Sequence, residues 1–187
     1  GFYSDVVVQG EWYGGDGVSV ANNRVNIDGV GVSMSLEGGY TYRLNDNWTL
    51  EPQVQLIGQG GHFEDMPLPV ETTVRFSDTW QWTGRLGVRL VDTIRFDNGG
   101  MLKPYVRANV WHGFDATQTL TYIAPAVSTE SKVGLGYTSG ELAGGLTWAV
   151  TDKMRVYGEV GRLFSLDNNA QSVRKGTTAT VGVKWDW

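Results

Sequence analysis

The chain contains no cysteine, which excludes disulfide-rich scaffolds and metal sites built from thiolates. It has only 5 prolines, and no apolar run approaches the roughly 20 residues that a membrane-spanning helix needs. No charged-then-apolar leader opens it, so we expect any export leader to have been removed already. The net charge of -5 and the pI near 5.0 leave no excess of lysine and arginine, and nucleic acid is therefore not an expected partner.

Glycine and tryptophan are plentiful instead. The 187 residues include 26 glycines and 8 tryptophans, and 41% of them are hydrophobic. A chain with this much apolar surface is not disordered. Its length favours one domain over residues 1–187, because all-β barrels of this size need no division.

The most informative stretch runs from Gly31 to Gln59 and reads GVSMSLEGGYTYRLNDNWTLEPQVQLIGQ. Apolar and polar residues alternate with a period of two on both sides of the polar turn at 45–47, which predicts an antiparallel hairpin. Only Ile57 breaks the alternation. The polar face carries carboxylates, an arginine and three glutamines, so we expect it to be either wet or fully hydrogen-bonded.

The same alternation recurs along the chain and predicts about eight strands, each long enough to cross a bilayer at a tilt. Outside the hairpin, the predicted strands are 2–13, 80–96, 102–114, 141–150, 155–164 and 178–187. Long connections (14–28, 60–78, 115–132 and 165–176) alternate with short ones (45–47, 97–100 and 151–153). Such sorting is typical of outer-membrane barrels. Segment 133–137 is out of phase with the strand after it, which indicates a bulge or an extension.

Aromatic residues of the apolar face gather near both ends of the predicted strands, as two girdles around a lipid-facing aliphatic band would. The expected girdle residues are Trp12, Trp80 and Trp82 towards the long connections, and Tyr40, Tyr42, Trp48 and Trp148 towards the short ones. Asp92 and Arg162 share this face, and a charge is tolerable there only near an interface. A soluble sandwich or lipocalin-like barrel would leave both the girdles and the sorted connections unexplained.

The opposite, polar face is predicted to line the interior of the barrel. Its candidate lining residues are Glu37, Glu51, Gln53, Arg85, Arg89, Tyr105 and Arg107. Two interpretations stay open: a hydrated conduit, or paired structural ions that fill the interior. Barrel size decides between them, because side chains fill an eight-stranded barrel whereas a wider one leaves room for a helix or a threading chain.

The segments GVSMSLEGGYTYRLNDNWTLEPQVQL, GRLGVRL, PYVRANVWHGFD and TVGVKWDW resemble the C-terminal β-domain of pertactin-like autotransporters. The resemblance implies an all-β fold, an antiparallel transmembrane β-barrel in the outer membrane of a Gram-negative bacterium. Both termini would be periplasmic and the long loops extracellular. The domain would anchor and help to export a covalently attached N-terminal passenger in type V secretion.

The resemblance also implies partners. Outer-membrane lipid and lipopolysaccharide would surround the barrel, and the outer-membrane assembly machinery would bind its last strand. The expected assembly signal consists of Thr180, Gly182, Trp185 and Trp187. Because the family's barrel has about twelve strands, we expect the chain to lack the first strands, the linker helix and the passenger.

Two other classes of function are an enzyme and an adhesin. An enzyme is not expected, since His62 and His112 are isolated and neither a G-x-S-x-G elbow nor an H-E-x-x-H motif occurs. No cofactor or metal is expected either, because the Asp and Asn residues at 167–169 lack the spacing of a calcium loop. The alternative is a small stand-alone outer-membrane barrel, acting as an adhesin or structural protein through its long loops.

Overall fold

The computed structural model describes residues 1–18, 24–68, 71–97, 99–114, 116–151, 153–166 and 175–186. The strands are β1 (Phe2–Val18), β2 (Arg24–Tyr40), β3 (Tyr42–Arg43), β4 (Trp48–Phe63), β5 (Met66–Leu68), β6 (Thr72–Phe76), β7 (Thr79–Asp92), β8 (Ile94–Arg95), β9 (Met101–Gly113), β10 (Thr117–Ala124), β11 (Val127–Gly134), β12 (Tyr137–Ala149), β13 (Met154–Ser165) and β14 (Gly176–Trp185). Within the described residues, no helix has the length and apolar character needed to traverse a bilayer.

The main sheet is antiparallel, and its strands follow one another in the order β1-β2-β4-β7-β9-β12-β13-β14. The short strands β3 and β8 lengthen it at one end by pairing with β4 and β9. All eight predicted strands are thus confirmed. In the described residues no ladder joins β14 to β1, and the sheet forms an open half-barrel rather than a closed one.

Several strands extend beyond their predicted ends. We expected the first strand to stop at Tyr13, but β1 continues to Val18 and β2 begins at Arg24. The extension is rich in glycine and polar residues, which have little strand propensity of their own. It is a strand because each residue has an antiparallel partner, as in the pair of Gly17 with Val25.

The short connections are confirmed as tight turns. Asn45 Oδ1 accepts hydrogen bonds from the backbone N–H groups of Asn47 and Trp48 at 3.0 and 2.8 Å. The hydroxyl of Thr151 accepts a backbone N–H in the same way, from Met154 at 3.0 Å. Side chains of these types stabilise turns by replacing a backbone acceptor.

The composition of the long connections suggested irregular structure. Two of them instead form a second, four-stranded sheet in the order β11-β10-β6-β5. Strands β5 and β6 lie between β4 and β7 in the sequence, and β10 and β11 lie between β9 and β12. The out-of-phase segment 133–137 is therefore explained by an extension, since β11 ends at Gly134 and β12 begins at Tyr137. We call the end of the main sheet that carries this second sheet the long-connection end, and the opposite end the short-turn end.

The main sheet has one apolar and one polar face, and their burial is the reverse of that in a soluble sheet. Leu86 on the apolar face is 67% exposed, whereas Arg85 and Asn109 on the polar face are 6% and 4% exposed. Curvature encloses the polar side, which we call the inner face. An apolar face this exposed requires an apolar medium, as the lipid-facing side of a membrane barrel does.

Candidate functional site

Arg85, in the middle of β7, is the most connected side chain of the inner face. Its guanidinium donates to Glu37 Oε2 at 2.8 Å, to Gln55 Oε1 at 2.9 Å and to Gln53 Oε1 at 3.3 Å. Glu37 also accepts a hydrogen bond from the hydroxyl of Tyr3 at 3.2 Å. Each guanidinium nitrogen therefore has an acceptor, which compensates the buried charge.

A second cluster surrounds Glu141 of β12. Its Oε2 accepts hydrogen bonds from Asn109 Nδ2 and Trp111 Nε1, both at 2.8 Å, and its Oε1 accepts one from Arg107 at 2.9 Å. The same nitrogen of Arg107 donates to Glu159 Oε1 of β13, also at 2.9 Å. Arg107 thus lies between two carboxylates from two neighbouring strands.

Asn109 joins the two clusters. Its side-chain oxygen accepts a hydrogen bond from Arg85 at 3.4 Å, while its nitrogen donates to Glu141. Hydrogen bonds therefore run without a break from β2 across β7 and β9 to β13. Polar networks of this kind are stable only when nearly every member is satisfied.

The remaining predicted lining residues connect to the same network. Arg89 lies 3.5 Å from Glu51 Oε2, and its guanidinium stacks over the ring of Tyr105 at 4.2 Å. The hydroxyl of Tyr105 donates to Glu159 Oε2 at 2.6 Å. All three arginines of the inner middle are thus ion-paired, which agrees with the interpretation of the lining as paired ions.

The structure brings together all seven residues that the sequence suggested as lining, on one face and in one network. Whether they line a lumen stays a prediction. Sequence reasoning did not include Asn109, Glu141 and Glu159, although all three have the inward parity of their strands. Parity could have found them, but only the register shows that Glu141 lies beside Asn109 and Glu159 lies near Arg107.

Ile57, which breaks the alternation in the hairpin, points to the inner face. There it lines a cavity of about 360 Å³ together with Trp111, Tyr137 and Leu163. The inner face therefore has an apolar area near the long-connection end, bordered by the carboxylate of Glu141.

The seven predicted girdle residues all lie on the outer, apolar face and are exposed. Trp80 and Trp82 stack on one another with ring centroids 6.3 Å apart near the long-connection end. Tyr40 and Tyr42 lie 4.4 Å apart near the short-turn end. Of the other girdle residues, Trp12 lies near the long-connection end, and Trp48 and Trp148 lie near the short-turn end. Their contact with an interface stays a prediction.

The predicted assembly signal lies on β14, apart from Trp187, which falls outside the described residues. Trp185 is exposed on the apolar face, whereas Thr180 and Gly182 have inward parity. Any Cβ at Gly182 would collide with the ring of Tyr157 on β13, so this position requires glycine unless Tyr157 moves. Beside β14 on its other edge, the described residues place no strand.

The two histidines lie near the long-connection end, and Nδ1 of each is within hydrogen-bond distance of one polar side chain. His62 Nδ1 is 2.7 Å from Asp78 Oδ1, and His112 Nδ1 is 3.0 Å from the hydroxyl of Thr138. Asp65, near His62 in sequence, instead forms a bidentate pair with Arg75. The expected absence of enzymatic activity stays a prediction.

Comparison with known proteins gives a family match. The chain matches the model of the autotransporter beta-domain over residues 1–161. It is 28% identical over 196 residues to the adhesin BmaC autotransporter of Brucella suis biovar 1 (strain 1330), which covers 98% of the chain and 6% of that protein. It is 31% identical over 152 residues to the pertactin autotransporter of Bordetella parapertussis, covering 73% of the chain and 16% of that protein.

A further relative is the uncharacterized protein YdeU of Escherichia coli (strain K12), 25% identical over 200 residues, covering all of the chain and 41% of that protein. No solved structure matches the chain significantly. The chain spans less than half the length of each of these three curated relatives.

Proposed function

Because the chain belongs to the autotransporter β-domain family, the outer-membrane β-barrel translocators of type V secretion, we propose that its inner face lines a conduit for an N-terminal passenger. The observation that carries the proposal is the continuous polar network on the enclosed face, opposite an exposed apolar face. Arginines and carboxylates held by one another form a rigid polar wall whose charges are already paired, which leaves them less able to bind a passing chain.

In this proposal the short-turn end, with both ends of the chain, faces the periplasm. The long-connection end, with the second sheet, faces the outside. Outer-membrane lipid and lipopolysaccharide contact the apolar face between the two groups of aromatic residues. One feature supports this orientation, since short periplasmic turns are the rule in such barrels. The second sheet exposes charged residues such as Glu130 and Lys132, which fits a position in water beyond the membrane.

The terminal strand is proposed as the site at which the assembly machinery binds. Its backbone on the side away from β13 has no strand partner among the described residues. Such an edge is recognised by addition of a further strand. Thr180, Gly182, Trp185 and Trp187 then supply the side chains that distinguish this edge from others.

No catalytic step forms part of the proposed function. His62 contacts an aspartate and His112 contacts a threonine hydroxyl. In the part of the chain that the structure describes, neither histidine is hydrogen-bonded to both a nucleophile and an orienting carboxylate, as a catalytic triad would require. We expect the isolated protein to be inactive as a hydrolase.

A second candidate function is adhesion, because the second sheet gives the long connections an ordered surface. Strand β11 forms the outer edge of that sheet, and all of its residues are exposed. This function does not exclude the first, since a passenger would pass along the inner face of the main sheet, whereas a surface contact would involve the exposed strand β11 of the second sheet.

The conduit is tested by cross-linking, for which the absence of native cysteine provides a clean background. Thr147 and Leu146 are neighbours on β12 that face the inside and the outside respectively. In the full-length protein, a passenger stalled during export and carrying one cysteine should cross-link to Thr147→Cys but not to Leu146→Cys. Equal cross-linking of both variants, or of neither, would contradict the proposal.

A further inference from the structure

Basic residues gather at the short-turn end of the inner face. We call Arg43, Arg95, Lys103 and Arg155 the cation row; they come from β3, β8, β9 and β13. The register makes the row continuous, because Arg95 pairs with Met101, Met101 pairs with Ala149, and Ala149 pairs with Arg155. Such a concentration of positive charge is notable in a chain whose net charge is -5.

The cation row borders two adjoining cavities. The larger, of about 880 Å³, is lined by Arg43, Arg95 and Lys103. The smaller, of about 480 Å³, is lined by Lys103 and Arg155. Because Met101 and Lys103 border both, the cavities form one groove that crosses the strands, which we call the short-turn groove.

Within the part of the chain that the structure describes, most of this positive charge is not neutralised. Among the described residues, the side chains of Arg43, Arg95 and Lys103 form neither an ion pair nor a hydrogen bond. By contrast, the three arginines in the middle of the inner face are each ion-paired with a glutamate. Arg155 lies 3.7 Å from Asp186. Of the carboxylates that line the groove, Glu51 is paired with Arg89, which leaves Asp46.

Small polar groups make up much of the remaining lining, beside the apolar residues Val91, Met101 and Ala149. The hydroxyls and amides that border the groove belong to Thr41, Asn45, Asn47, Thr49, Thr93, Thr147 and Thr151. Groups of this kind hydrogen-bond to the backbone of an extended chain without selecting its sequence. Cations and neutral polar groups together suit a ligand that is elongated, polar and negatively charged.

We propose that the short-turn groove binds an extended, acidic segment of polypeptide. A lipid headgroup is a poorer occupant, because the bilayer meets the opposite, apolar face of the sheet. The inference rests on the proposed function: the segment is part of the passenger, and the groove captures it where it enters the conduit. Positive charge at an entrance raises the local concentration of an acidic chain and speeds its association.

The test uses the full-length protein, isolated from outer membranes in a neutral detergent, and a fluorescein-labelled ten-residue peptide of glutamate and glycine. Binding is followed by fluorescence anisotropy at an ionic strength of about 0.02 M and again at about 0.3 M, where screening is much stronger. The variant R95E/K103E reverses two unpaired cations of the groove. Its matched control is K132E/K175E, which changes the net charge equally at exposed lysines outside the groove.

We expect R95E/K103E to weaken peptide binding about tenfold or more at low salt, and K132E/K175E to weaken it less than about twofold. Higher salt should weaken binding to the unaltered protein, and R95E/K103E should acquire affinity for a peptide of lysine and glycine. This gain shows that the variant is folded, as does its heat-dependent mobility in gel electrophoresis.

The proposal is overturned if the acidic peptide does not bind, if both variants weaken binding equally, or if single-stranded DNA of the same charge binds more tightly than the peptide. Failure here is distinct from failure of the conduit. A passenger that cross-links to Thr147→Cys while the peptide does not bind leaves the conduit in place without the groove. A passenger that does not cross-link refutes the conduit whatever the peptide does.

Discussion

The two sheets of this protein use the same period of two but bury opposite kinds of residue. In the main sheet Leu86 is mostly exposed and Arg85 is buried. In the second sheet Val74 is 2% exposed, while Glu130 and Lys132 are exposed. Alternation therefore specifies a strand with two unlike faces, and the surrounding medium decides which of them is covered.

The difference also shows how each sheet is held together. The second sheet follows the aqueous rule, with Val74 of β6 between Met66 and Tyr122 of the neighbouring strands. The main sheet has few buried apolar residues, and the covered side is joined by hydrogen bonds and ion pairs. Its stability should therefore depend on polar side chains to an unusual degree.

The largest expected effect comes from breaking an inner ion pair. Replacing Arg85 by methionine keeps much of the volume but leaves the carboxylate of Glu37 without its cation, which costs about 3 to 5 kcal/mol at a buried site. The measurement is urea unfolding of the full-length protein in phospholipid vesicles, followed by tryptophan fluorescence. The double variant R85M/E37Q should recover most of the loss, since both charges are then gone. A double variant as unstable as R85M would show that packing, not charge, dominates at this site.

A charge on an exposed aliphatic position distinguishes the two sheets directly. Leu86 of the main sheet and Val127 of the second sheet are 67% and 62% exposed, so exposure alone predicts the same result for both. We expect Leu86→Arg to cost about 2 to 4 kcal/mol, because in the proposed orientation the new side chain would meet the middle of the bilayer. Val127→Arg should cost less than about 0.5 kcal/mol, as at a water-exposed site.

The same vesicle unfolding assay measures both variants, with Leu86→Met as a control for loss of shape. Equal costs for the two arginine variants would mean that the two faces meet the same medium. That result would contradict the assignment of the apolar face to lipid.

Much of the main sheet could be predicted from the sequence, because long alternating segments specify both the strands and their faces. The hairpin of β2 and β4 is the clearest example. The second sheet could not be predicted, since segments 60–78 and 115–132 alternate weakly and contain polar residues, glycines and prolines. They form strands because β5 pairs with β6 and β10 pairs with β11 within each connection, and because β6 pairs with β10 across the two. The last pairing joins segments far apart in sequence and leaves no local pattern.

The sequence could predict which residues of the candidate site face inward, but not which of them contact one another. Parity placed Glu37, Arg85 and Arg107 on the inner face correctly. It could not indicate that Asn109 links two clusters, because that depends on the register between β7, β9 and β12. Trp187 lies outside the described residues, so its predicted part in the assembly signal stays a prediction, as does the single-domain organisation.

The smallest expected effect concerns the bidentate pair of Asp65 and Arg75, which ties the start of β5 to β6 in the second sheet. The hydrogen bonds from Arg75 hold the pKa of Asp65 below its ordinary value. A carboxyl group whose pKa is lower in the folded state stabilises that state above its unfolded pKa of about 3.9, and the contribution disappears as the pH falls through the folded pKa.

We therefore expect acid to loosen the β5–β6 hairpin while the main sheet stays intact. Amide hydrogen exchange, corrected for the intrinsic rate at each pH, should show lower protection of Val74 at a pH of about 2 than at about 5. In Asp65→Asn the protection of Val74 should be lower than in the unaltered protein at a pH of about 5, and its remaining change with pH should be smaller. The unaltered protein and Asp65→Asn would show the same pH dependence if the pair did not contribute.

The effect is small because both side chains are well exposed, and exposed ion pairs contribute little to stability. Its restriction to the second sheet would show that the two sheets respond separately to pH.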